Sequence, residues 1–207
     1  MESDRSVRNA GWYAYAAGVA FILAIVFIAL FFAVGQPWGS LNDLSFAIWA
    51  ILQIPVALAL DRRFRAKSSA LNRLAVGIAV LGFLLLAVSS VLIILHALGI
   101  VQFFQFQPGT GPYGAGFVAF VLAGLWLVLV GLLSRRSGAL PATSAWLAIL
   151  AGIGNIVSIV LFALIGLSAP PVVFAVGGIA YLLVLIAYPV WIFWVGRILL
   201  GARAAAD

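Results

Sequence analysis

The chain has no cysteine, one histidine, one methionine and very little charge: only 8% of its 207 residues are Asp, Glu, Lys or Arg, against about 25% in soluble domains. Each absence excludes chemistry. Without cysteine there is no disulfide framework, no thiolate nucleophile and no thiolate metal site. With His96 as the sole histidine, a bis-histidine haem or a His-Glu-x-x-His zinc site cannot be built within the chain. The sole lysine, Lys67, lies in a polar stretch rich in arginine, which disfavours a buried Schiff base of the retinal type. What is present is apolar: 66% of the residues are hydrophobic, too many to hide from water, so lipid is the expected solvent.

A membrane-crossing helix needs about 20 mostly apolar residues. The uncharged runs predict six such spans, near residues 11–34, 44–60, 74–98, 113–133, 145–167 and 171–196, within a single integral membrane domain over residues 1–207. The predicted fold is an all-α membrane protein, a polytopic bundle of six transmembrane helices. The breaks fall where Pro and Gly cluster, at Gln105 to Pro112 and at Ser168 to Pro171, because proline lacks a donor and disfavours helix just before itself. Pro171 suits the first turn of the last helix, with Ser168 as its cap. Asn42 and Asp43 are read as caps of the second helix, and Thr143 and Ser144 as caps of the fifth. A secretory signal peptide is the competing reading of the first run. That run is about 24 residues, beyond the 7–15 of a signal core, so it is read as helix one.

All eleven Lys and Arg fall on one side of this arrangement: Arg5 and Arg8, then Arg62 to Arg73, then Arg135 and Arg136, then Arg197 and Arg203. The positive-inside bias then places both ends in the cytoplasm, N-in and C-in, in a cell membrane, plasma or inner. The same bias explains the net charge of +6 without a nucleic-acid partner. No Asp, Glu, Lys or Arg lies within an expected span, which weighs against proton-coupled transporters, pumps and voltage sensors. Most tryptophans, Trp12, Trp38, Trp126, Trp146, Trp191 and Trp194, sit toward helix ends and read as interfacial anchors. Small residues at four- and seven-residue spacing, Ala14 and Gly18, Ala75 and Ala79, Ala148 and Gly152, Gly124 and Gly131, read as seams between helices of this chain.

The remaining polar residues are neutral. Gln53, Asn155 and Tyr181 fall near the bilayer midplane and Ser89, Ser90 and Ser158 nearer the outside, so Gln53, Ser89, Asn155 and Tyr181 form the candidate ligand-binding set. The alternative for each is an interhelical hydrogen bond, worth roughly 0.6–2 kcal/mol. His96 reads either as a hydrogen-bonded interfacial residue or as a single axial ligand. Neither a nucleophile elbow nor a catalytic pair surrounds Ser89 and Ser90, so no catalytic residue, metal or cofactor is expected.

Three stretches carry a resemblance: Gly114-Ala-Gly-Phe-Val-Ala-Phe through Gly131, Arg136-Ser-Gly-Ala-Leu-Pro141, and Trp146-Leu-Ala-Ile-Leu-Ala-Gly-Ile-Gly154, with Arg8-Asn-Ala-Gly-Trp-Tyr at the start. The pattern resembles a family of uncharacterised bacterial six-helix integral membrane proteins. It implies six helices and assigns no functional residue. The expected function is non-enzymatic, an accessory subunit or a binder of a lipid or small amphiphile, with membrane lipids, other membrane subunits or a second copy as partners. The alternatives are a transporter or channel for a small neutral solute, and a membrane enzyme acting on a lipid.

Overall fold

A computed structural model describes residues 2–64, 69–102, 111–165 and 170–201. Six helices, and no strand, occur among the described residues: α1 (Glu2–Val34), α2 (Trp38–Phe64), α3 (Ser69–Ala97), α4 (Gly111–Ser137), α5 (Ala142–Ile165) and α6 (Pro171–Leu200). All six are long and apolar enough to cross a membrane. Even α5, with 24 residues, reaches about 36 Å against a hydrocarbon core of about 30 Å. Glycines end two of them. Gly35 (φ +91°) and Gly138 (φ +69°) take the left-handed conformation that costs other residues a steric penalty, and their N–H groups donate to Phe31 O and Ser134 O.

The polar residues read as boundaries mark interior contacts instead. α2 starts at Trp38 rather than Leu44 and runs past Leu60 to Phe64. Asn42 is not a cap; its amide donates to Ala24 O of α1 at 2.8 Å. Asp43 and Asp61 therefore both lie within α2, near its two ends and outside the predicted span of residues 44–60. Thr143 and Ser144 fall in the first turn of α5, and the fully buried Ser144 hydroxyl has no hydrogen-bond partner, so it caps nothing. Pro171 does open α6, behind Pro170 and without a side-chain cap. Ser168, Lys67 and most of the break from Gln105 to Pro112 lie outside the described residues.

Each helix packs on its neighbours in sequence, and α6 returns to α1, so the bundle is a ring closed in chain order. Small residues form the seams. A Cβ on Gly152 of α5 would lie 2.5 Å from Gly124 O of α4, and one on Gly131 would lie 2.6 Å from Ala145 O. Between α1 and α6, a Cβ on Gly11 would lie 3.0 Å from Gly196 O and one on Gly196 would lie 3.1 Å from Gly11 O. The small-residue pairs are thus spent on packing within the chain, where close backbone approach replaces the missing hydrophobic drive of a lipid solvent.

The centre of the ring is aromatic. Trp126 and Trp191 are 1% and 0% exposed, buried in this core rather than anchored at an interface as the sequence suggested. Trp12 and Trp146 do face outward, and the Arg135 guanidinium lies 4.3 Å over the Trp146 ring, a cation–π contact at the end where the basic residues gather.

Candidate functional site

Halfway along the ring, α2 presents Trp49 and Gln53 one turn apart on its buried face, and α6 presents Tyr188 and Trp191. The Trp49 Nε1–H and the Gln53 Nε2–H both donate to the Tyr188 hydroxyl oxygen. These contacts tie α2 to α6, which are not neighbours in the ring. Around them, eight rings form one connected cluster: Phe21, Phe46, Trp49, Phe83, Phe120, Trp126, Tyr188 and Trp191. Most pairs are edge-to-face or tilted, as the ring quadrupole favours; Trp126 and Trp191, for example, meet at 5.7 Å and 80°. The rings come from α1, α2, α3, α4 and α6, so the cluster fills the axis of the ring.

The polar accounting does not close. Gln53 Oε1 and Trp191 Nε1 are buried without a hydrogen-bond partner. Turning the Gln53 amide over would let the Tyr188 hydroxyl donate to Oε1 and would strand Nε2 instead. One end of the amide is orphaned in either orientation. Proline follows each polar residue closely, Pro55 after Gln53 and Pro189 after Tyr188, and each releases a backbone carbonyl one turn earlier. A contrast follows. Gln53→Leu is expected to be nearly neutral, since it removes an imperfectly paired amide. Tyr188→Phe leaves two buried donors without an acceptor and is expected to cost about 1–3 kcal/mol. Reversible unfolding in mixed micelles measures both, and equal losses would contradict this account of the node.

The expected ligand-binding residues take separate places. Gln53 is at the node. Ser89 is buried at the α3–α4 seam, its hydroxyl 3.3 Å from where a Cβ on Gly116 would sit. The Asn155 amide donates to Phe120 O across the α4–α5 seam, an interhelical bond of the kind weighed as the alternative. The Ser158 hydroxyl donates to Asn155 O within α5. Tyr181 is half-buried on α6, about two turns before Tyr188. The His96 Nδ1 lies 3.0 Å from Val101 O, a contact to loop backbone.

The sequence reading missed Tyr188 and Trp49, and it also missed a buried polar pair at the basic end. There the Asn72 amide donates to the Asp61 backbone oxygen at 3.0 Å and to its carboxylate. The pair borders a narrow cleft lined by Ala57, Leu60, Phe64, Trp126 and Val130, with no room for a water molecule. No local pattern announced it, because Asp61 opens the basic stretch one residue beyond the predicted end of the second span. Neither place offers a nucleophile beside a base. Both offer packing and recognition by aromatic faces, amides and a carboxylate.

No protein-family model, no curated protein and no solved structure matches this chain. The class is the one defined by the fold itself, an α-helical protein with six membrane-length spans closed into a ring.

Proposed function

We infer that this chain is a non-enzymatic protein of a cell membrane, plasma or inner, that binds a lipid-like amphiphile, alone or as the accessory subunit of a larger assembly. The observation that carries the reading is the aromatic plug. With eight rings across the axis and Gln53, Tyr188 and Trp191 fully buried, the midplane polar residues are spent on packing, and the surfaces left for binding are the lipid-facing sides and the mouths of the ring. Native mass spectrometry after mild extraction tests it: a reproducibly retained amphiphile is expected, and a protein that emerges bare would overturn the reading.

The competing reading is a conduit for a small neutral solute past Gln53, Asn155 and Tyr181. Gln53 and Asn155 are tied into interhelical hydrogen bonds, which favours the binder. Vesicles carrying the protein are expected to admit glycerol no faster than protein-free vesicles in a light-scattering assay. A saturable flux that Gln53→Leu alters would establish the conduit instead.

Both chain termini are assigned to the cytoplasm, because every Lys and Arg falls in the segments of the sequence expected on their side. The absence of cysteine makes the test clean. A single cysteine introduced at Ser6 should resist a membrane-impermeant maleimide in intact cells, while one introduced at Ser40 should react.

A further inference from the structure

Among the described residues, every Asp, Glu, Lys and Arg but one lies at the end where α1 begins and α6 finishes; the exception is Asp43. It sits in the second turn of α2, half-buried, at the opposite mouth of the ring. No cation pairs with it among the described residues, and the sequence places no Lys or Arg in the three connections at that end. A half-buried carboxylate without a cation is costly in low-dielectric surroundings. An uncompensated one calls for a positive partner from outside the chain.

The surroundings specify what kind. Phe46 follows Asp43 by one turn on α2, and Tyr113 precedes Phe120 by two turns on α4, its hydroxyl within electrostatic reach of the Asp43 carboxylate. The Phe46 and Phe120 rings meet edge to face at 5.1 Å, where α2 and α4 approach each other across the ring. Phe46, Tyr113 and Phe120 are all half-exposed. Beneath them Trp49, only 3% exposed, stacks on Phe120 at 18° between ring planes and closes the floor. The mouth therefore presents half-exposed aromatic rings on α2 and α4, with one carboxylate a turn above them on α2.

We propose that this mouth binds an organic ammonium group, with Asp43 as its counter-charge and the half-exposed rings of Phe46, Tyr113 and Phe120 as the aromatic surface it meets. The proposal rests on the amphiphile-binding reading and names the chemistry of the group recognised. Aromatic faces attract a desolvated alkylammonium through the ring quadrupole, and a carboxylate at a low-dielectric rim adds a Coulombic attraction stronger than in water. An inorganic cation fits poorly, because it needs six or so oxygen ligands and the rings supply none. An anion meets only repulsion. The ammonium has two sources, the headgroup of a membrane lipid or a free organic cation.

Calorimetric titration of the full chain in nanodiscs, with empty nanodiscs subtracted, distinguishes the cases, using dodecyltrimethylammonium, tetramethylammonium and dodecyl maltoside as probes. Dodecyltrimethylammonium should bind saturably. Asp43→Asn should weaken it by about tenfold or more and Phe120→Leu by about threefold, while Asp43→Glu stays near wild type. Tetramethylammonium binding as tightly as the long-chain probe assigns a free cation; much weaker binding assigns a lipid headgroup. Asp43→Asn should also melt at or above the wild-type temperature, since it removes an unpaired charge, and a lower melting point would make Asp43 a structural residue and overturn the proposal. Unchanged affinity in Asp43→Asn overturns the site. A wild type that ignores both ammonium probes yet retains dodecyl maltoside or phospholipid overturns the ammonium assignment and leaves the amphiphile reading standing. A wild type that retains nothing overturns both.

Discussion

Gly152→Leu should prevent α4 and α5 from meeting and leave little folded protein. The Cβ alone would sit 2.5 Å from Gly124 O and 2.8 Å from Val128 N, and both obstacles are backbone, which cannot rotate aside as a side chain can. Overpacking usually costs about 1–3 kcal/mol, and more where relief requires helices to separate. Gly152→Ala should be intermediate. Gly178→Leu is the control, because nothing lies within 4 Å of a Cβ there, and a near-neutral result is expected. Denaturant titration of the purified protein in mixed micelles ranks the three. A Gly178→Leu loss as large as that of Gly152→Leu would mean that helix propensity rather than the seam dominates.

Trp49→Ala should be the most damaging change in the aromatic plug. Trp49 meets Phe21, Phe46, Phe83, Phe120 and Tyr188, and its indole N–H donates to Tyr188. Removing a buried tryptophan leaves a large hole, with a cost of about 3–5 kcal/mol in water-soluble cores. In a bilayer the loss is of dispersion contacts rather than of burial from water. Trp49→Phe keeps most of the packing and loses the donor, for about 1 kcal/mol. Similar losses for the two variants would show that the hydrogen bond, not the packing, holds the node. Glycerol entry into vesicles should rise in Trp49→Ala alone if the plug is what keeps the axis dry.

The six helices are legible in the sequence because each contains an uncharged run long enough to cross hydrocarbon, with Pro and Gly between. The seams are legible too, since Gly152 and Gly124 leave no room for a side chain. The ends of α2 are not. Asn42 looks like a cap until α1 offers Ala24 O, and Asp61 looks like loop until α3 brings Asn72. Such partners are tertiary, and no local pattern announces them.

The tryptophans show a second limit. In a soluble protein a buried Trp126 betrays itself by its polar neighbours on the opposite face. Here the interior and the lipid are both apolar, so the pattern says little about which side a ring faces. Much the same difficulty separated Tyr181 from Tyr188, two tyrosines seven residues apart on nearly the same face of α6. Extending α6 to Leu200 moves its middle close to Tyr188, and the position of Gln53 on α2 then selects the partner. Of the four expected ligand-binding residues, Gln53 alone was placed at the node for a reason visible in advance, its depth.

The order of the ring bears on how the protein is made. Five of its six seams join helices consecutive in the chain, so each can form as the next hairpin leaves the ribosome and enters the bilayer. The sixth, between α1 and α6, joins the first helix to the last. Until α6 arrives, Trp49 and Gln53 lack the Tyr188 hydroxyl and Gly11 lacks Gly196, so α1 must wait in lipid with that face uncovered through the synthesis of all the others. A nascent chain stalled after α5 is an open crescent with its donors unmet, the form that membrane quality control should recognise, and release of the last helix is the step that ends its exposure.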